Sequence, residues 1–200
     1  MNERVKKFIE KYIDKINNNE FESLYFLANH EFSYTGDVGR LTAILLEAGI
    51  DPLQYMKTIP CCYYDGFEKS EIPPISKTVT EIHSEAFFNS DIVSLTIPGN
   101  VKILHNNAID YACLLQKVIL EDGVEYIGRD CFNDCSELEF LSLPNTVETI
   151  EAEAFIRCTN LVEIEFRGTM EQWEAVEKSM LAFENCYVQT IKCKNGDIEL

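Results

Sequence analysis

Glycine is scarce, at nine residues in 200, and neither a G-x-G-x-x-G run nor a Gly-Lys-Ser/Thr cradle occurs, which excludes the familiar phosphate-binding loops. Histidine is scarcer, at three, and no G-x-S-x-G or Cys/His motif of known type is present, so nucleophilic catalysis has no motif to rest on. Cations are outnumbered: 17 Lys and Arg stand against 34 Asp and Glu, a net charge of −17, which argues against contact with nucleic acid or an anionic membrane. No apolar run approaches the roughly 18 residues that cross a bilayer. The opening MNERVKKFIEKYIDK places a charge every few residues where a signal peptide needs an uninterrupted apolar stretch. These shortages predict a cytoplasmic, non-enzymatic chain without a cofactor, whose partner is a protein with a basic surface.

Eight cysteines are too few for a disulfide scaffold, and without an export signal they are expected as reduced, buried apolar groups. No C-x-x-C occurs. The adjacent Cys61-Cys62 and the i, i+4 pair Cys131 and Cys135 lack the spacing of a tetrahedral zinc site. Acidity is concentrated: residues 1–70 hold 11 acids and 8 bases, while residues 71–200 hold 23 acids and 9 bases.

Against these absences stands a strong internal period. Leu95, Val118, Leu141 and Ile164 recur every 23 residues, as do Ile97, Leu120, Leu143 and Phe166, and Ile92, Leu115, Leu138 and Leu161. Val79, Val101, Val124 and Val147, with Ile82, Leu104, Ile127 and Ile150, recur at 22, 23 and 23, the short interval marking one deletion between Phe87 and Ile92. A small residue before a large one repeats as Ala86-Phe87, Ala108-Ile109, Cys131-Phe132 and Ala154-Phe155. Alternation such as Leu95-Thr96-Ile97 predicts one short strand per repeat, and the 3-to-4 spacing of the second group predicts a turn or short helical segment folded back over it. One repeat cannot bury these residues alone, so the columns become ladders along a stacked solenoid.

These residues resemble the BspA-like class of leucine-rich repeats. The resemblance is carried by Val93-x-Leu95-x-Ile97-Pro98, Leu138-x-x-Leu141-x-Leu143-Pro144, Val147-x-x-Ile150, Ala154-Phe155 and the turn cysteines Cys135 and Cys158. It implies an α/β repeat solenoid, a short leucine-rich-repeat array with a parallel sheet on its inner surface, and a role in holding another macromolecule. Glu121 in place of the proline, Ala112 in place of the turn cysteine, and the lack of the export signal that large secreted members carry are departures.

The ends are expected to cap the array. The expected organisation is a helical N-terminal region over 1–58, the solenoid over 59–168 and a C-terminal cap over 169–200. Val5, Phe8, Ile9, Tyr12, Ile13 and Ile16 form one amphipathic stripe. Asn19 with Glu22 resembles the start of a second helix reaching His30. A third helix spans Asp37 to Ala48 with Gly49 at its left-handed end, and Asp51-Pro52 opens a fourth ending near Thr58. Ile59 to Tyr64 reads as a degenerate first repeat. A helix from Met170 to about Met180 is expected to lay Trp173 and Val176 over the far end, before a strand from Val188 to Cys193.

Candidate binding residues lie between the buried columns. One outward row holds Ser94, Lys117, Phe140 and Glu163, and the next Thr96, Ile119, Ser142 and Glu165; Ile119 and Phe140 are expected as exposed apolar neighbours. An alternative surface is the acidic row of Glu85, Asp130 and Glu153, with Glu125 and Glu148 close by. On that reading the chain is a small acidic inhibitor, phage-encoded, filling a basic nucleic-acid groove of a host nuclease or RNA-guided (CRISPR) defence complex. His83 and His105 share one repeat position, on rungs about 5 Å apart. A shared metal would need a third ligand, so solvated stacked imidazoles are expected and no metal ligand is assigned.

Overall fold

The computed structural model describes residues 3–32, 36–64 and 72–199. Helices α1 (Glu3–Lys11), α2 (Ile13–Asn17), α3 (Phe21–Glu31) and α4 (Gly36–Glu47) precede the array. The strands then alternate between two sheets. The first holds β1 (Thr58–Ile59), β2 (Glu81–Ile82), β4 (Ile103–Leu104), β6 (Tyr126–Ile127), β8 (Thr149–Ile150) and β10 (Glu177–Lys178), all parallel. The second holds β3 (Ser94–Ile97), β5 (Lys117–Leu120), β7 (Phe140–Leu143), β9 (Glu163–Phe166) and β11 (Thr190–Cys193), parallel, and closes on antiparallel β12 (Gly196–Glu199). Helix α5 (Met170–Ala175) lies between β9 and β10.

The 23-residue columns are the rungs. Leu95, Val118, Leu141 and Ile164 sit in register on successive strands and are buried, as are Ile97, Leu120, Leu143 and Phe166. Each turn of chain thus supplies side chains that only its neighbours can cover, which is why a single repeat has no core. The group Val124 to Ile127 ends in a second short strand, β6, not in the helical turn its spacing suggests: two residues suffice because backbone bonds such as Gly128 N–H to Leu104 O, 2.9 Å, continue the ladder beyond it.

A third line of backbone bonds joins the turns, with Phe87 N–H to Ala108 O at 2.9 Å and Phe132 N–H to Ala154 O at 2.7 Å. Here each turn uses two left-handed residues, Glu85, Asn107, Asp130 and Glu153 in one column and Asn89, Tyr111, Asp134 and Arg157 in the other, all with φ between 50° and 60°. Asn and Asp tolerate that conformation better than other side chains. The turn cysteines Cys135, Cys158 and Cys186 donate to the carbonyls of Ile109, Phe132 and Phe155 one turn back, which explains a thiol at this place without any reactivity.

Two aromatic stacks, separated by Ile109, make up a column of large side chains in the core. Tyr25 packs on Tyr63 at 4.8 Å between ring centroids, Tyr63 on Tyr64 at 4.6 Å and Tyr64 on Phe87 at 4.7 Å. Phe132, Phe155 and Phe183 stack at 5.0 and 5.2 Å, and Trp173 covers Phe166 at 5.2 Å. Thr42 ties the N-terminal helices in, bonding the Tyr25 hydroxyl at 2.7 Å and donating to Tyr63 O at 2.6 Å.

The helical ends differ from their sequence pattern in detail. The first stripe is broken at Tyr12 into α1 and α2, which turns Ile13 out to 43% exposure. Asn19 is left-handed, with φ 58°, and Glu20 precedes α3 without a side-chain cap. Asp51 does cap, accepting from Leu53 N–H at 3.1 Å, but the segment it opens is a single tight turn, Pro52–Gln54. Helix α5 stops at Ala175 because Glu177–Lys178 pairs with β8 as the last strand of the first sheet. It opens with a capping box, Thr169 Oγ1 accepting from Gln172 N–H at 3.3 Å and Gln172 Oε1 from Thr169 N–H at 2.9 Å.

Candidate binding surface

Alternation on β5, β7 and β9 turns Lys117, Phe140 and Glu163 outward on consecutive rungs, and Ile119, Ser142 and Glu165 two residues further on. Phe140 remains 39% exposed with the Lys117 ammonium 5.3 Å from its ring centroid. Such a contact holds the ring upright at little cost in desolvation. Ile119 is half-buried. Ser142 departs from expectation: alternation points it at solvent, yet it is 2% exposed because Arg167 lies across it and donates to its hydroxyl.

Arg167 is a residue that the column pattern alone did not single out. Its guanidinium also donates to Leu120 O at 2.6 Å and Asp122 at 3.1 Å, spanning three turns. It stands in the column Pro98, Glu121, Pro144, Arg167, so the two places where proline is missing, Glu121 and Arg167, both line the same depression. That depression, of about 550 Å³, is floored by Ile119 and Phe140 and rimmed by Lys117, Glu121, Asp122 and Glu165. A second, about 570 Å³, lies on the other flank of Phe140 and is bounded by Glu163, Glu165, Lys192 and Lys194. Lys192 pairs with Glu163 at 2.6 Å, whereas Glu121 and Glu165 hold no ion pair among the described residues. Lys117, Ile119, Glu163 and Glu165 therefore line the depressions that flank the Phe140 ring, while Ser142 lies beneath Arg167.

The acidic row is assembled differently. Glu85, Asp130 and Glu153 occupy the left-handed column. Arg129 donates through Nε to Asp130 at 3.2 Å and to Glu153 at 3.1 Å, and Lys102 pairs with Glu125 at 2.9 Å. Glu148 lies one turn beyond Glu125, its N–H bonded to Glu125 O at 2.8 Å. The carboxylates are interleaved with the chain's own cations. Nearby, Asp110 is 6% exposed and accepts from Asn107 at 3.1 Å and Asn133 at 2.8 Å. Burial outweighs those two bonds and pushes its carboxyl up to about 6.

His83 and His105 stack, centroids 4.8 Å apart and planes 27° from parallel, and His105 Nε2 lies 2.8 Å from Glu81 Oε2. Burial and the neighbouring His105 hold the His83 imidazole below its usual value. Glu81 is thus a third potential ligand beside the pair. Among the described residues no helix is long and apolar enough to cross a membrane.

Parallel ladders repeating about every 23 residues, with one strand per turn in each of two sheets, define a leucine-rich-repeat solenoid. The family model described as the BspA type leucine rich repeat region matches residues 58–189 in six copies, and the chain belongs to that family. A leucine rich cell surface protein from Faecalibacterium prausnitzii A2-165 is 23% identical, covering 55% of this chain and 35% of its own, with a TM-score of 0.36. A leucine rich repeat protein from T. pallidum is 20% identical over 60% of this chain and 74% of its own, with a TM-score of 0.38. The chain thus spans about a third of the first of these proteins. Comparison with curated proteins gave no match.

Proposed function

We propose that the chain is a non-enzymatic protein-interaction module that docks its partner on the outer face of the second sheet, around Phe140. Membership of a leucine-rich-repeat family supports the general role. The observation that carries the particular surface is Phe140 itself, an exposed aromatic ring on a rigid parallel ladder, flanked by two depressions and by the carboxylates Glu121 and Glu165, which have no ion pair among the described residues. A ring already held in place loses little freedom when covered, so its burial goes into affinity. The complementary partner is a protein segment bringing an aliphatic or aromatic side chain onto Phe140 and Ile119, and Lys or Arg toward Glu121 and Glu165. The cytoplasm is the proposed compartment, a reading supported by the turn thiols of Cys135, Cys158 and Cys186, each donating to a backbone carbonyl.

The rival reading places Glu85, Glu125, Asp130, Glu148 and Glu153 in a basic groove of a nuclease or RNA-guided defence complex. It ranks second because Arg129 and Lys102 already neutralise part of that row. Affinity capture from the native host, followed by mass spectrometry, separates the two. The bait is used as wild type, as Phe140→Asp with Glu165→Lys, and as Glu125→Lys with Glu148→Lys, each first shown to unfold like the wild type. A protein lost only with the first double variant, and retained as salt is raised, is the expected result. Loss only with the second, with steep salt dependence, transfers the role to the acidic row. A partner indifferent to both sets refutes both surfaces.

A further inference from the structure

We propose that Glu81, His83 and His105 form a binding site for a divalent ion of the zinc class, bridging the turns that carry β2 and β4. The two imidazoles are brought together by the fold itself. Each histidine follows its strand directly and is pinned by the ladder, His83 N–H to Ile59 O and His105 N–H to Ile82 O, both at 2.9 Å. The repeat therefore sets one ring above the other at 4.8 Å, the spacing of neighbouring strands.

Glu81 is two residues before His83, on the same side of the extended chain, and its carboxylate already reaches His105 Nε2 at 2.8 Å. The three ligand atoms lie within 4.8 Å of one another. Bonds of about 2.0–2.1 Å to a tetrahedral ion require ligand separations of about 3.4 Å. The difference is a side-chain rotation of exposed His83, with the backbone left in place. On the next turn the same position is Gly128, whose N–H bonds Leu104 O in the same way; it adds no ligand of its own, and the Asn106 side chain that lies against it is already bonded to Arg129 N–H at 3.0 Å. Two imidazoles and one carboxylate with positions open to water suit Zn²⁺, Ni²⁺ or Co²⁺ better than Mg²⁺ or Ca²⁺, which favour all-oxygen sets. A chain of net charge −17 also concentrates cations at its surface.

A second cluster, Cys61, Cys62 and Glu85, offers thiols to the same ions, so the test must tell the two apart. The full chain is titrated with Zn²⁺ by calorimetry, and with Co²⁺ while its visible absorption is followed. The same is done for His83→Ala, His105→Ala, Glu81→Gln and Cys61→Ser with Cys62→Ser, each checked for wild-type circular dichroism. The expected result is one ion per chain, affinity reduced about tenfold or more by either histidine change and by Glu81→Gln, little change in the Cys variant, and Co²⁺ spectra without a thiolate charge-transfer band. The proposal is overturned if wild type binds neither ion tighter than about 0.1 mM, or if binding survives both histidine changes. It also fails if a thiolate band appears that the Cys variant removes.

Discussion

Truncating Phe155 to alanine should be the most damaging single change in the aromatic column. Phe155 is fully buried and has a parallel ring on each side, Phe132 at 5.0 Å and Phe183 at 5.2 Å, whereas Phe132 has Ile109 on its other side and Phe183 is half-buried. A buried Phe→Ala change costs roughly 3–5 kcal/mol, and an aromatic pair adds roughly 0.5–1.5 kcal/mol beyond its area. The expected order is therefore Phe155→Ala at about 5 kcal/mol, Phe132→Ala at about 4 kcal/mol and Phe183→Ala at about 2 kcal/mol. The location matters as much as the size. A solenoid is coupled only between neighbours, and Phe155 joins the turns of β8 and β9 to the C-terminal cap. The lone tryptophan, Trp173, sits in that cap on Phe166, so its fluorescence reports the cap while far-ultraviolet circular dichroism reports the whole chain. Urea unfolding followed by both signals should coincide in the wild type and separate in Phe155→Ala, the fluorescence transition coming first. A cost below about 1 kcal/mol, or one smaller than that of Phe183→Ala, would refute the stacked-column account.

Three further changes test other parts of the structure. Gly99→Ala should destabilise by about 2 kcal/mol or more, read from the urea midpoint, because a Cβ there would lie 1.9 Å from the Asp122 carbonyl oxygen, and a backbone atom cannot step aside. Thr169→Ala removes one half of the capping box on α5 and should cost about 1 kcal/mol, detected first in Trp173 fluorescence. Asp110 should make the wild type gain stability relative to Asp110→Asn as pH falls. Its folded value of about 6 lies above the usual 3.8, so between these values the native state holds more protons than the unfolded chain, and stability contributed by this group falls as pH rises. From pH 7.5 to 5 the difference should move by about 1 kcal/mol in favour of the wild type, after allowing for residual hydration of the carboxyl; a constant difference across that range would refute it.

What the sequence made legible was whatever repeated. The ladder residues, the small-large pair and the turn cysteines could be read because stacking demands one side-chain size at one position, turn after turn. The first sheet was missed because Val124 to Ile127 offers only two extended residues, too few for a period of two to declare itself. Antiparallel β12 was missed for a related reason: it belongs to no repeat and exists by pairing with β11. At the N-terminus a helical stripe was visible, but the break at Tyr12 reflects packing of α2 against α3, which no local pattern encodes. The outward rows were legible as positions, since alternation assigns a side to each residue. The burial of Ser142 was not, because it depends on an arginine 25 residues away.

That contrast bears on how function is written into a molecule of this kind. A column held constant by the core carries no information about partners, and even the regular spacing of Glu85, Asp130 and Glu153 has a backbone cause, since each occupies the left-handed place that every turn requires. Regularity of charge on a solenoid is therefore weak ground for a charge-driven role. Departures from a column are stronger ground. Where Pro98 and Pro144 stand, Glu121 and Arg167 replace them, and these two face one depression on either side of the turn that presents Phe140. Neither is needed by the ladder, and Arg167 commits three hydrogen bonds to spanning the turns beside the exposed ring. If that arrangement served only to fasten the sheet, Arg167→Met should destabilise the chain and leave partner capture unchanged at temperatures where it is folded. If it shapes the docking surface, capture should fall while the urea midpoint moves little, for an arginine about a quarter exposed adds little net stability through its ion pair with Asp122.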